Sequence, residues 1–235
     1  MQNIYDAVAI VLTARSFQYR VLQNLFGSEP GWETLCEFVS LHTRSVFSVT
    51  LDENASRAVD AAWGAILQSM EEYGETFTKR AQAEYVRCFV GPGAPASPPW
   101  ESMYVGSERT LFNAVTLDVR RAYASQGFRP QGYPRVADDH LAIELDFMAC
   151  LAWESQVCFE NGDYEKTRCL LVVQQQFLKE HLVRWVSPFA LDVAKGMATC
   201  VFSHAATILA TAVLADESLL GEMYEALDGL VENAK

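Results

Sequence analysis

The sequence predicts an all-α fold of about nine or ten helices in one domain spanning residues 1–235. Three observations carry this. Apolar residues recur at three- and four-residue spacing along most of the chain, the period of a helix face. No stretch alternates apolar and polar residues as a half-buried strand would. Helix breakers are concentrated: four of the 8 prolines fall between Gly91 and Pro99. Proline fixes its own φ and restrains the residue before it, so no helix crosses that segment.

The elements follow in order. Ile4, Val8, Val11, Leu12, Tyr19, Leu22 and Phe26 share one face of a first helix, stopped at Gly27. Residues 31–49, with Trp32, Leu35, Phe38, Val39 and Val46, read as a second. Residues 54–74 place Val59, Trp63, Ile66, Leu67 and Met70 on one side of a third, and a short fourth runs over 76–90. After the Pro-rich loop, helical spacing resumes near Ser107 and lasts to Ser125. A second loop, 127–137, holds Pro130, Gly132 and Pro134 and offers a hinge. Asp138 is placed to cap a helix whose face is Leu141, Leu145, Met148 and Ala152. Asn161-Gly162-Asp163 reads as a turn, with Asp163 capping a helix that carries Leu170, Val173, Phe177 and Leu182. Pro188 suits a helical first turn. The final segments run from there to Val213 and from Asp216 to Glu232. No internal repeat is found.

Composition excludes several classes. Half the residues are hydrophobic, which argues against disorder. The formal charge of -12 opposes a nucleic-acid binder, whose phosphate contacts need clustered Lys and Arg. It suits a cationic ligand or solubility. Six cysteines lack any CxxC pairing and read as reduced, buried small hydrophobes with no metal role. The N-terminus has no basic region ahead of an apolar one, so a cytoplasmic location is expected. Residues 197–215 contain no Asp, Glu, Lys or Arg. Their Ala, Ser and Thr content and His204 favour a buried central helix over a membrane span. Phosphate loop, GxSxG, HExxH and EF-hand patterns are absent, the four histidines have no ligand spacing, and no cofactor is implied. An enzyme is not expected.

Four segments carry more specific information. They are Glu84-Tyr85-Val86-Arg87-Cys88-Phe89-Val90-Gly91-Pro92-Gly93, Pro98-Pro99-Trp100-Glu101-Ser102-Met103-Tyr104, Asp139-His140-Leu141-Ala142-Ile143-Glu144-Leu145-Asp146-Phe147-Met148, and Phe177-Leu178-Lys179-Glu180-His181-Leu182-Val183-Arg184-Trp185. Their order and spacing resemble the TorD/DmsD family of cytoplasmic chaperones for molybdenum-containing reductases. The likeness is clear over residues 80–190. Two positions depart from the pattern: Ala137 and Asp138 stand where a proline often precedes the Asp-His pair, and Trp100 stands where Tyr or Phe is also common. The resemblance implies a helical fold particular to the family. It also implies that the protein binds the apo catalytic subunit of a molybdopterin-containing reductase, with its twin-arginine leader, until the cofactor is inserted. Family members can exchange helices, so a monomer or a helix-swapped homodimer is expected.

Such a leader offers two guanidinium groups and an apolar stretch, so its receptor needs carboxylates and aromatic groups. Glu101, Asp138, Asp139 and Glu144 are the expected carboxylates. Trp100 and Tyr104 are the expected aromatic anchors, and His140 stands beside them. Gly91, Pro92, Gly93, Pro98 and Pro99 shape the loop and reduce its ordering cost. The two Pro-containing loops are expected to meet in space. Each residue also has a structural alternative. Trp100 and Tyr104 would anchor the loop to the core, Glu101 would cap the following segment, Asp138 or Asp139 would cap a helix, and His140 would bond a neighbouring carboxylate. His181 and Trp185 read as packing residues, and Arg120 and Arg121 as a solvated face.

Overall fold

The computed structural model describes residues 2–106, 109–130, 136–196 and 201–233. Its α-helices are α1 (Gln2–Gly27), α2 (Trp32–Val39), α3 (Leu41–Thr50), α4 (Glu53–Tyr73), α5 (Phe77–Tyr85), α6 (Ala114–Ser125), α7 (Leu141–Glu160), α8 (Tyr164–Phe177), α9 (Val183–Gly196) and α10 (Phe202–Asn233). A 3₁₀ turn, Gly74–Thr76, joins α4 to α5, and π turns follow α5 at Val86–Val90 and α8 at Leu178–Leu182. Among the described residues the ten segments therefore make eight continuous helical runs rather than nine or ten separate helices. Among the described residues there is no strand; one isolated antiparallel bridge pairs Trp100 with His140.

The middle of the fold is α7. Leu141, Leu145, Phe147, Met148, Leu151, Ala152 and Phe159 are all buried, so its apolar surface wraps most of the circumference. Such a helix must be covered on several sides. It packs against α1 and α8, while α10 packs against α9, α4 and α8. One buried apolar cluster runs from Val8 in α1 to Leu227 in α10.

Four boundaries differ from the sequence expectation, each for a local reason. The span 31–49 is two helices, because Ser40 turns extended and its Oγ accepts from the Thr43 N–H at 3.1 Å, capping α3. The helix expected from Ser107 begins at Ala114, where the Asn113 side chain accepts from the Val115 N–H at 2.9 Å; Ser107 itself lies outside the described residues. Pro188 sits inside α9 rather than in a first turn, because α8, the π turn and α9 run on without a break. No break occurs between Val213 and Asp216 either. Asp216 is the expected start of the last segment, but it lies inside α10 and its carboxylate is taken by Arg15 of α1, at 2.5 and 2.9 Å, and by the Tyr19 hydroxyl at 2.5 Å. Helix α10 starts instead at Phe202, where Glu84 Oε2 accepts the Val201 and Phe202 N–H groups at 3.1 and 3.2 Å. Asp163 does cap α8, accepting from the Lys166 N–H at 3.0 Å.

Of the 197–215 stretch, Val201 and most apolar residues of α10 from Phe202 onward are buried, while Thr207 and Leu214 face outward; residues 197–200 are outside the described set. No helix among the described residues is long and apolar enough to cross a membrane. Of the cysteines, Cys88 and Cys158 are buried, Cys36 and Cys150 are partly so, and Cys169 is exposed, against expectation. Cys200 and the core of the expected hinge, 131–135, lie outside the described residues.

Candidate functional site

The Pro-rich segment starts from an unusual helix end. The π turn Val86–Val90 closes with the Gly91 N–H donating to the Val86 carbonyl at 2.6 Å. Gly91 has φ +90°, and a Cβ there would stand 2.6 Å from the Gly93 carbonyl oxygen, so glycine is required. The loop folds back over this turn through the Ser97 N–H on the Cys88 carbonyl at 2.9 Å. Pro98 and Pro99 then carry the chain to α7. Pro99 has no N–H, but its carbonyl accepts the Leu141 N–H at 2.9 Å, satisfying one of the orphan donors at the start of α7. The Glu101 N–H donates to the Asp139 carbonyl at 2.9 Å, completing the bridge. The Pro-rich loop thus meets the Asp-His segment that follows the second loop; residues 131–135 of that loop lie outside the described residues.

All four expected carboxylates are at this junction, and all point inward. Glu101, Asp139 and Glu144 are 0% exposed and Asp138 is 1% exposed. Asp139 accepts from the Ser102 N–H and the Thr116 hydroxyl, both at 2.8 Å. Asp138 holds Arg120 at 2.6 and 2.7 Å, and the Tyr123 hydroxyl donates to its carbonyl at 3.0 Å. Thr116, Arg120 and Tyr123 lie on one face of α6, which is thereby bound to the Asp-His segment. Arg120 is thus an internal partner rather than a solvated residue; Arg121 pairs with Asp118 on the surface, as expected. Neither Asp138 nor Asp139 caps α7. His140 does, its Nδ1 accepting from the Ala142 N–H at 3.1 Å. Its ring meets Trp100 edge-on at 5.1 Å, and burial pulls its pKa down to about 4.

The fourth motif completes the junction. His181, in the π turn, contacts Glu101 Oε2 through Nδ1 at 2.9 Å. The Trp185 indole N–H, one turn on, donates to Glu144 Oε2 at 3.2 Å. Tyr104 stacks on Trp185 with centroids 5.6 Å apart. Packing alone therefore understates His181 and Trp185: both hydrogen-bond buried carboxyls. Burial raises the pKa of Glu101, with His181 opposing. It raises that of Glu144 further, with Glu101 and Asp139 adding to the effect.

What stays accessible is the rim. Trp100, Tyr104 and His140 are partly exposed. A cleft of about 580 Å³ beside His140 is lined by Gln23, Arg129, Ile143 and Asp146. Another of about 680 Å³, under the Pro-rich loop, is lined by Glu29, Val86, Arg87 and Pro92. No group of His, Cys, Asp and Glu among the described residues is arranged to hold a metal ion.

Residues 52–191, well over half of the chain, match the family described as nitrate reductase delta subunit. The chain belongs to this family. The matched span contains all four motif segments and the junction they build. Relatives include a chaperone protein TorD of Vibrio atlanticus, 29% identical over 73% of this chain and 78% of that one. A chaperone protein TorD of Vibrio cholerae is 23% identical over 88% of this chain and 92% of its own. The Tat proofreading chaperone DmsD of Salmonella typhi is 34% identical over 46% of this chain and 45% of its own. Each is named a chaperone, in agreement with the expectation that the family is not enzymatic.

Proposed function

We propose that this protein is a molybdoenzyme maturation chaperone, a binding protein that acts in the cytoplasm. It holds the apo catalytic subunit of a molybdopterin-containing reductase and that subunit's twin-arginine leader until the cofactor is in place. Family membership and the relatives' names support the chaperone role. The observation that carries the site is the convergence of three of the four motif segments at one junction, with Trp100, Tyr104 and His140 on its rim and the first motif bracing the Pro-rich loop behind it.

In this reading the junction carboxylates do not themselves receive the leader's arginines. Glu101, Asp138, Asp139 and Glu144 hold the loops in register. The apolar and aromatic rim contacts the client, and the exposed carboxylate of Glu29, in the cleft under the Pro-rich loop, takes its positive charge; Asp146, beside His140, is already paired with Arg20 at 2.8 Å. Aromatic anchors at a pre-ordered rim give contact area at small entropic cost.

The test is an affinity pull-down from the native host with mass spectrometry. A molybdopterin reductase is expected to co-purify and to be lost when its leader is deleted. Retention without the leader would move the contact to the enzyme core. Absence of any such reductase, where one is expressed, would refute the chaperone assignment.

A further inference from the structure

The junction contains two carboxyl groups that cannot both be charged as they stand. Glu101 Oε1 and Glu144 Oε1 are buried and have no hydrogen-bond donor from elsewhere in the protein. The two carboxyls act directly on each other, and their Oε2 atoms are held by His181 and Trp185, four residues apart in sequence, so the two unpartnered Oε1 atoms belong to one site. A bond between two carboxyls needs a proton, because an ionised carboxylate only accepts. Without it, two negative charges would share a fully buried site, with Asp139 nearby as a third.

The surroundings decide which group holds the proton. Glu101 Oε2 has His181 Nδ1 at 2.9 Å, and the positive charge of Arg184 also acts on it. Glu144 Oε2 receives only the neutral indole N–H of Trp185, at 3.2 Å. Charge is better compensated on Glu101. We infer that Glu144 is a neutral acid at neutral pH and donates a hydrogen bond to Glu101 Oε1, which makes it the positioning residue that fastens the Trp100–Tyr104 segment to α7. The chain of bonds then runs from the Trp185 indole to Glu144, from Glu144 to Glu101, and from His181 to Glu101. It ties α7, the 3₁₀ turn Glu101–Met103 and the π turn before α9 into one unit. The other titratable group set against the pair is the Tyr123 hydroxyl of α6, itself held neutral by burial and by these carboxylates.

The inferred role goes beyond client binding and does not depend on it. The test uses the full chain. Glu144→Gln reproduces the neutral acid: its amide donates to Glu101, and its carbonyl accepts from Trp185. Infrared spectra of the wild type at neutral pH should show the C=O stretch of a protonated carboxylic acid, and E144Q should lose it while folding normally. A carboxyl whose pKa is raised in the fold costs stability as pH rises above its unfolded value, so the melting-temperature advantage of E144Q over wild type should widen from about pH 5 to about pH 8. Glu101→Gln should keep the band or move it and melt lower than E144Q, because it weakens the acceptor for His181. Loss of the band in E101Q but not in E144Q would place the proton on Glu101 and overturn the inference. No such band in the wild type, or a pH-independent gap between E144Q and wild type, would also overturn it. A client-binding measurement on the same variants is read separately: E144Q should bind like wild type, and failure of the wild type to bind any reductase bears on the chaperone assignment alone.

Discussion

Removal of the Asp216 carboxylate should be among the most damaging single changes in the molecule. Arg15 is 0% exposed, and three of its hydrogen bonds go to Asp216 and to Gln174 Oε1, the last at 2.8 Å. Tyr19 also donates to Asp216. Asp216→Ala leaves a buried guanidinium and a buried phenol without their shared acceptor. Breaking a buried pair by deleting one partner costs about 3–5 kcal/mol, most of it the desolvation of the ion left behind. Set against a net stability of roughly 5–15 kcal/mol, that is about a fifth of the total or more. For a chain of this size each kcal/mol moves the melting temperature by about 2–4 °C, so a fall on the order of 10 °C is expected. Circular dichroism on heating and in urea, at matched protein concentration, measures it. The triple change Arg15→Met, Tyr19→Phe, Asp216→Leu removes every buried charge at once and should recover most of the loss, since a packed apolar replacement is often neutral. An Asp216→Ala variant within about 1 kcal/mol of wild type would refute the reasoning, because such values belong to ordinary substitutions. So would a triple variant as unstable as the single one.

Other outcomes follow from the same geometry. His140 is neutral in the fold, its pKa depressed to about 4 from 6.5, whereas the unfolded chain protonates near 6.5. Its contribution is therefore intact above about pH 6.5 and is lost as pH falls towards 4, a change on the order of 3 kcal/mol. His140→Asn keeps a capping acceptor for α7 and removes the titration, so its acid-side melting curve should be shallower than that of wild type. Glu84→Ala strips the acceptor from two buried N–H groups at the start of α10 and should cost about 2–4 kcal/mol; Glu84→Gln, which still accepts, should cost roughly half of that or less, by denaturant melts. Ser40→Ala should lower stability by about 1 kcal/mol through loss of the α3 cap.

Much of the fold is legible in the order of residues. Helical spacing marks α1, α4, α7 and α8, because an amphipathic or buried helix must place apolar residues on a recurring face. The Gly91–Pro99 interruption is equally plain, since proline and positive-φ glycine act on the backbone where they stand. The four motifs contain the residues of the junction. Their spacing does not say which way the side chains point.

That direction is a matter of tertiary structure. A carboxylate in a loop looks the same in sequence whether it meets solvent or a buried donor. Glu101 and Glu144 turn inward because His181 and Trp185 arrive from about 40 or more residues away along the chain. Asp138 and Asp139 do so because Thr116, Arg120 and Tyr123 line up on α6. The spacing of those three is visible, but nothing local marks it as a binding face. Asp216 resembles a helix start for the same reason: its partner Arg15 lies at the other end of the chain. The sequence by itself determined where helices form and which segments matter, because backbone propensity and apolar periodicity are local. Which polar groups are buried, paired or protonated was decided by packing, because that depends on donors brought from distant parts of the chain into one buried place.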